Sequence, residues 1–280
     1  MKSYSAIAAK LRPEHFDRVK DDHAVIIPTK DNKVFFHSGD FGDIIYALPT
    51  IRALGGGKLI IGPSTRWKTR LAMSQMHVDL LASLLKLQPY IHDVEFAEVA
   101  PSEVDLDLNQ FREYLVMEAD HMQKGARRLN LAEAHLYTFK LGLDECEQPW
   151  LEVDRPTVRE DCPVIFHRSA RWRNFDFPWD KIMERHGHHA VFVGLESEYT
   201  DFINDWGLVP YKPTKNFLEL ARLIAGCRLY VGNQSLPYAI CEGLKRTSIL
   251  EVWPEGPNCL FNRNNAIYGE GKAVYIPKIK

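Results

Sequence analysis

The sequence predicts an α/β protein made of two parallel-sheet units in tandem. Three observations predict it. Short β-branched and aromatic runs alternate with stretches of helical period, the alternation pauses around Pro149 and Trp150 and then restarts, and the composition is ordinary for a globular chain. The 280 residues are 45% hydrophobic and 26% charged. A chain this long buries roughly three-quarters of the surface its unfolded form exposes, so it needs neither disulfides nor a structural metal to fold.

Residues 1–30 read as an N-terminal extension, with an amphipathic stretch over 7–19 interrupted by Pro13 and an apolar run over 24–27 that stops at Pro28. Lys33-Val-Phe-Phe-His37 is β-branched and aromatic between charge and Ser-Gly-Asp, a buried first strand. Ile44, Ile45, Leu48, Ile51 and Leu54 recur at three- and four-residue steps. They predict a helix over 44–54 despite Pro49, stopped by Gly55-Gly56-Gly57. A strand over 58–61 completes a right-handed parallel unit. A helix over 71–87, short strands over 94–96 and 106–108, and a helix over 121–141 ending at Gly142 continue the first half.

Residues 148–156 read as a linker, dividing a first domain, 31–150, from a second, 151–280. The second half reads as strand 164–167, helix 179–185, strand 190–194, helix 197–206, helix 216–225, strand 228–231, helix 236–244 and strand 248–252. Each strand is a short apolar run, as sheets covered on both faces require.

Lys+Arg 35 against Asp+Glu 37 leave a formal charge of −2, which argues against bulk nucleic-acid binding. Cys146, Cys162, Cys227, Cys241 and Cys259 lie far apart with no C-x-x-C pair and read as reduced, mostly buried thiols. The charged N-terminus lacks the apolar core of a signal peptide, and no apolar run approaches a membrane span. The expectation is a cytoplasmic protein with at most peripheral contact with the inner membrane.

Ligands of open α/β sheets bind beyond the carboxyl ends of the strands, so three loops carry the functional reading. Ser38-Gly39-Asp40-Phe41-Gly42-Asp43 has two glycines that let backbone approach a ligand and a carboxylate, Asp43, where a helix begins. Asp43 reads there either as an N-cap or as a carboxylate aimed into the crevice. The second loop, running from Arg168 through Arg171 to Arg173, offers three guanidiniums, the side chain suited to gripping phosphate oxygens, against the alternative of a solvated basic loop. The third, Gly232-Asn233-Gln234-Ser235, turns from a strand into a helix start, where N–H groups and the helix dipole favour an anion. His186-Gly-His188-His189 reads as a solvated turn, and His37 and His167 as core histidines near strand ends. No G-x-S-x-G, H-E-x-x-H or P-loop pattern occurs.

Together these loops resemble the lipopolysaccharide heptosyltransferases and their glycosyltransferase family 9 relatives over most of residues 33–255. Gly42-Asp43-Ile44-Ile45-Tyr46-Ala47-Leu48-Pro49 looks like the family's Gly-Asp-hydrophobic-(x)3-Leu-Pro signature. Residues 127–142 look like the helix closing the first domain, Val191-Phe-Val-Gly194 with Glu198 is similar to a Gly-Gly-x-x-Glu strand and loop, and 217–244 are similar to the stretch ending in Gly-Asn-Asp-Ser-Gly-Pro and a helix. Gln234, Leu236 and Ala239 stand where that motif has Asp, Gly and, further on, His, positions that face the donor.

The resemblance implies a GT-B fold, two Rossmann-like α/β domains whose parallel sheets face a central cleft, with the acceptor on the first and a nucleotide sugar on the second. It implies Asp43 as general base of an inverting transfer to a glycan or lipid-linked hydroxyl, beside an acceptor-side loop of Ser38, Gly39, Asp40 and Gly42. The donor would be held by Arg168, Arg171, Arg173, Asn233, Gln234 and Ser235, with Glu198 on the ribose hydroxyls. No metal or other cofactor is expected, the arginine loop and the helix start at Ser235 supplying the positive potential. Two alternatives stand beside it: a non-catalytic or altered-donor sugar-nucleotide binder of the same fold, and an epimerase-type α/β enzyme.

Overall fold

The computed structural model describes residues 27–63, 73–98, 101–113, 129–256 and 258–278. Strand β1 (Lys33–His37) buries Phe35 and Phe36 at the centre of the first sheet. It pairs in parallel with β2 (Gly57–Ile61), which carries β3 (Ile91–Phe96) on its other side, and with the two-residue β4 (Leu106–Asp107). The order is β3-β2-β1-β4. The second sheet, also wholly parallel, has β5 (Val164–His167), β6 (Ala190–Phe192), β7 (Leu229–Asn233), β8 (Ser248–Glu251) and β9 (Ala266–Gly269) in the order β6-β5-β7-β8-β9.

Parallel strands must be covered by helices. The first half supplies α1 (Phe41–Ala53), α2 (Gln75–Leu85) and α3 (Leu131–Thr138); the second supplies α4 (Trp179–His186), α5 (Glu196–Trp206), α6 (Phe217–Gly226) and α7 (Leu236–Gly243). Helices of the two halves also pack on each other, α1 on α7 and α2 on α6. One apolar cluster therefore runs from Phe35 and Ile44 of the first half to Leu220 and Ile240 of the second. Phe41 and Phe217 meet edge to face across this junction, 4.6 Å between centroids. Beside it Glu242, fully buried, pairs with Lys245 at 2.6 Å and Arg263 at 2.8 Å, and Lys245 also donates to the Cys146 carbonyl.

Several boundaries differ from the sequence reading. Helix α1 starts at Phe41, three residues before its apolar period begins, because Asp40 adopts the N-cap position. Helix α3 starts at Leu131 rather than 121, set by a capping box: Asn130 Oδ1 accepts from Glu133 N, and Glu133 Oε2 accepts from Asn130 N, both at 2.9 Å. The stretch expected to begin that helix, like the N-terminal helical stretch over 7–19, lies outside the described residues. Strand β9 was not anticipated, since its four residues are mostly half-buried and carry no alternation. The segment between the sheets is packed: Trp150 and Leu151 are buried and both donate their N–H to the Gly243 carbonyl, at 3.0 and 3.1 Å.

Candidate active site

The strand order of the first sheet reverses at β1, which opens a crevice beyond its carboxyl end. The loop that fills it is held by β4 and the residues after it. Ser38 N and Oγ both donate to Asn109 Oδ1, at 3.0 and 2.8 Å. Asn109 is itself fixed through its backbone N and Nδ2 by Asp107 Oδ1. Ser38, expected on the acceptor-side loop, is fully buried in this arrangement and holds the loop through Asn109. Gly39 is required by crowding: a Cβ there would stand 2.5 Å from His37 Cε1 and 2.8 Å from both Arg112 Nη2 and Asp43 Cβ. Gly42 faces the other half, its absent Cβ 4.0 Å from Leu236 N and Ala239 Cβ at the start of α7.

Asp43 is the third residue of α1 and does not cap it. Its side chain keeps 27% of its surface open, and Arg112 Nη2 lies 3.4 Å from Oδ2. Desolvation deep in the crevice pushes its pKa up to about 6, with Asp40 adding to the rise while Arg112 and, more weakly, Arg171 pull against it. The group is therefore ionised at neutral pH yet basic enough to take a proton.

Behind it lies a buried pair, His37 and His135, with 3.3 Å between their Nε2 atoms. Gly39 N donates to His37 Nδ1, so His37 carries its proton on Nε2; His135 donates from Nδ1 to the Leu131 carbonyl and accepts on Nε2. Burial drives both pKa values down, that of His135 to about 3, and both rings are neutral.

In the second sheet the order reverses at β5, and the arginine loop leaves its carboxyl end. The three guanidiniums part ways. Arg168 is 3% exposed and turned inward onto the fully buried Glu251, with Nε 3.0 Å from Oε2 and Nη2 3.1 Å from Oε1. Glu251 also accepts from Asn174 N and Trp179 Nε1. Arg173 bonds the Ser169 carbonyl and Asp201 of α5. Only Arg171, half exposed, reaches across the cleft, to Asp40 Oδ2 at 3.4 Å. Arg168 is thus corrected from a phosphate ligand to an internal strut, because a charge brought into the core must be paired.

Two residues of the third loop are corrected in the same way. Asn233 is fully buried and clamps the arginine loop, Oδ1 accepting from Ser169 N at 2.9 Å and Nδ2 donating to the Arg171 carbonyl at 2.6 Å. Gln234 accepts from Trp253 N and donates to the Gly256 carbonyl and Asn258 Oδ1, holding the segment after β8. Ser235 caps α7 by position with no side-chain bond to its N–H groups. Glu198 Oε2 accepts from Leu195 N at 2.9 Å in the first turn of α5, near His167. His167 donates from Nδ1 to the Val193 carbonyl, and its buried Nε2 has no partner among the described residues.

Sequence reasoning missed Arg112, His135 and Trp172. Trp172 takes a left-handed φ of 55° and packs on Trp253, 4.2 Å between ring centroids. The His186 tract divides: His186 is buried, His188 and His189 are exposed. The sequence contains one D-x-D spacing, Asp105-Leu106-Asp107. Its carboxylates are engaged in the first half, Asp105 with Lys30 and Val34 N, Asp107 with Asn109. Among the described residues no three His, Cys, Asp or Glu side chains cluster as metal ligands do, and no helix is long and apolar enough to cross a membrane.

No protein-family model matches the chain, and no curated protein matches it in sequence. Solved structures do. The ADP-heptose lipopolysaccharide heptosyltransferase II of E. coli superposes with a TM-score of 0.52 at 13% identity, over 86% of this chain and 92% of that one. TibC of enterotoxigenic E. coli, an iron-containing dodecameric glycosyltransferase, gives 0.54 at 14% identity over 88% of this chain and 64% of its own. TibC in complex with ADP-D-β-D-heptose gives 0.53 at 14%, over 86% and 64%, so this chain spans under two-thirds of TibC. A family 9 glycosyltransferase of Veillonella parvula gives 0.47 at 11%, over 85% and 86%. At these identities the likeness is one of fold. The two parallel α/β sheets have the GT-B architecture of the heptosyltransferase structures, as the sequence resemblance implied.

Proposed function

We propose that the chain is an inverting, metal-independent glycosyltransferase that moves a sugar from a nucleoside-diphosphate sugar to a hydroxyl of a glycan or lipid-linked acceptor. The observation that carries this reading is Asp43, a carboxylate open to the cleft with its pKa raised to about 6, on one side of a gap whose other side presents Arg171. In the reaction the acceptor oxygen bonds to the anomeric carbon as the bond from that carbon to the diphosphate breaks. The acceptor proton passes to Asp43, and the diphosphate leaves with the bonding pair. Arg171 and the start of α7, uncapped by Ser235 and lying beside Gly42, stabilise that leaving charge.

The direct test is thermal unfolding and release of nucleoside diphosphate across a panel of nucleotide sugars, beginning with the ADP-heptose named for the structural neighbours. A donor at 100 times its dissociation constant stabilises the fold by about 2.7 kcal/mol. Failure of every sugar nucleotide to stabilise the protein overturns the reading. Stabilisation without turnover under any acceptor tried favours the sugar-nucleotide binder.

Two further results are expected. Arg171→Ala weakens nucleoside-diphosphate binding by about 1.5–3 kcal/mol and leaves free nucleoside binding unchanged. Arg173→Ala, already committed to Asp201, weakens it far less; titration calorimetry on both variants decides. Transfer continues in excess EDTA, and affinity for the diphosphate falls as salt rises, because the half-exposed Arg171 is screened. Loss of activity in EDTA with recovery on adding Mn²⁺ would reject the metal-independent mechanism.

A further inference from the structure

We infer that Arg112 is the positioning residue of the Asp43 base: its guanidinium, anchored on Asn109, fixes the direction of the carboxylate and keeps a positive charge beside it. This rests on the reading of Asp43 above and adds a second residue to the same site. Arg112 bridges two acceptors, Nη1 to Asn109 Oδ1 at 2.5 Å and Nη2 to Asp43 Oδ2 at 3.4 Å. Through Asn109 it is tied to Asp107 and Ser38, so a continuous chain of polar contacts runs from the end of β4 to the first turn of α1. A guanidinium serves this place because its planar fork spans two acceptors in fixed geometry, which an ammonium does not. Its floor is also built: the Phe111 ring lies 4.9 Å below the guanidinium carbon and stacks on His135 at 3.9 Å. Gly39, which admits no Cβ between His37, Arg112 and Asp43, lets the three groups come together.

The 3.4 Å contact is longer than the 2.7–2.9 Å usual for a charge-assisted bond. That suits a base, whose oxygen must release its partner and take up a proton within one step. The other groups that bear on Asp43 are Asp40 at the start of its own helix, Arg171 from across the cleft, neutral His37 from β1, and Cys259 after β8. Burial pushes the Cys259 thiol up to about 12, so it carries no charge at neutral pH. Arg112 is the only one of these that both touches the carboxylate and opposes its protonation.

The test follows the Asp43 carboxyl directly, by carbon-13 NMR of aspartate-labelled protein, with the signal assigned by its loss in Asp43→Asn. Arg112→Gln is expected to move the titration upward by about one pH unit or more, as removal of a neighbouring opposite charge does. Arg112→Lys keeps the charge and loses the fork. It is expected to leave the titration within about half a unit of the parent while transfer slows about tenfold. An unmoved titration in Arg112→Gln overturns the inference. If that variant lacks a cooperative thermal transition, Arg112→Lys decides, and a parent rate of transfer there overturns it. The carboxyl titration needs no turnover, so it remains decisive even where Asp43→Asn transfers sugar at the parent rate and the base assignment itself fails.

Discussion

Asp43→Asn is expected to lower the rate of sugar transfer about a hundredfold or more at pH 7.5, the loss that follows removal of a general base. In the parent the rate should rise with pH and level off above about 6, where the carboxylate is ionised. The variant should show no such limb. Stability supplies the control. Because the folded-state pKa is raised from 3.8 to about 6, the folded chain holds the Asp43 proton more tightly than the unfolded chain does, and stability is lost as pH climbs through that interval. Asn carries no charge to desolvate. Urea unfolding should therefore find the variant gaining on the parent between pH 4 and pH 7. An inactive variant that is also less stable at pH 8 would point to a damaged loop and not to a missing base.

The largest loss of stability is expected from Glu251→Ala. Glu251 is fully buried and accepts from Arg168, Trp179 Nε1 and Asn174 N, so its removal leaves a guanidinium in the core with only Asp205, 3.5 Å away, to answer it. Breaking one side of a buried pair costs about 3–5 kcal/mol, a large fraction of the 5–15 kcal/mol that typically holds a domain folded. The urea midpoint should fall with little change in slope. Nucleoside-diphosphate affinity should fall with it, since the loop carrying Arg171 springs from the same strut. Glu251→Gln keeps the acceptor for Trp179 and Asn174 and should lie between. A loss below about 1 kcal/mol in Glu251→Ala would mean that Arg168 turns out to Asp205 and solvent at little cost.

Much of the fold was legible because strands and helices are written in local periods. Lys33–His37 and Val164–His167 were read to the residue, and six further strands were placed within a few residues of where they lie. Strand β9 escaped because its pairing with β8 comes from register with a distant neighbour and not from its own pattern. The Gly42-Asp43 pair was legible for a similar local reason: a carboxylate just after a strand end must stand where a parallel sheet opens. Arg112 was not, since it meets Asp43 across 69 residues of sequence and nothing in its own surroundings marks it.

By itself the sequence determined that two parallel sheets form, where each helix follows its strand, and which three loops lie at their carboxyl edges. Those are consequences of side-chain period and turn chemistry, which act over a few residues. Only the tertiary structure decided which arginine faces the cleft, that Asn233 and Gln234 turn inward, and that Asp43 lies inside the helix that Asp40 caps, with its carboxyl pKa raised. The solvation of a charged or polar group depends on every atom packed around it, whatever its place in the chain. Arg168 is removed from the site by Glu251, 83 residues away, and Asp43 is raised to about 6 by burial, against the pull of Arg112, 69 residues away.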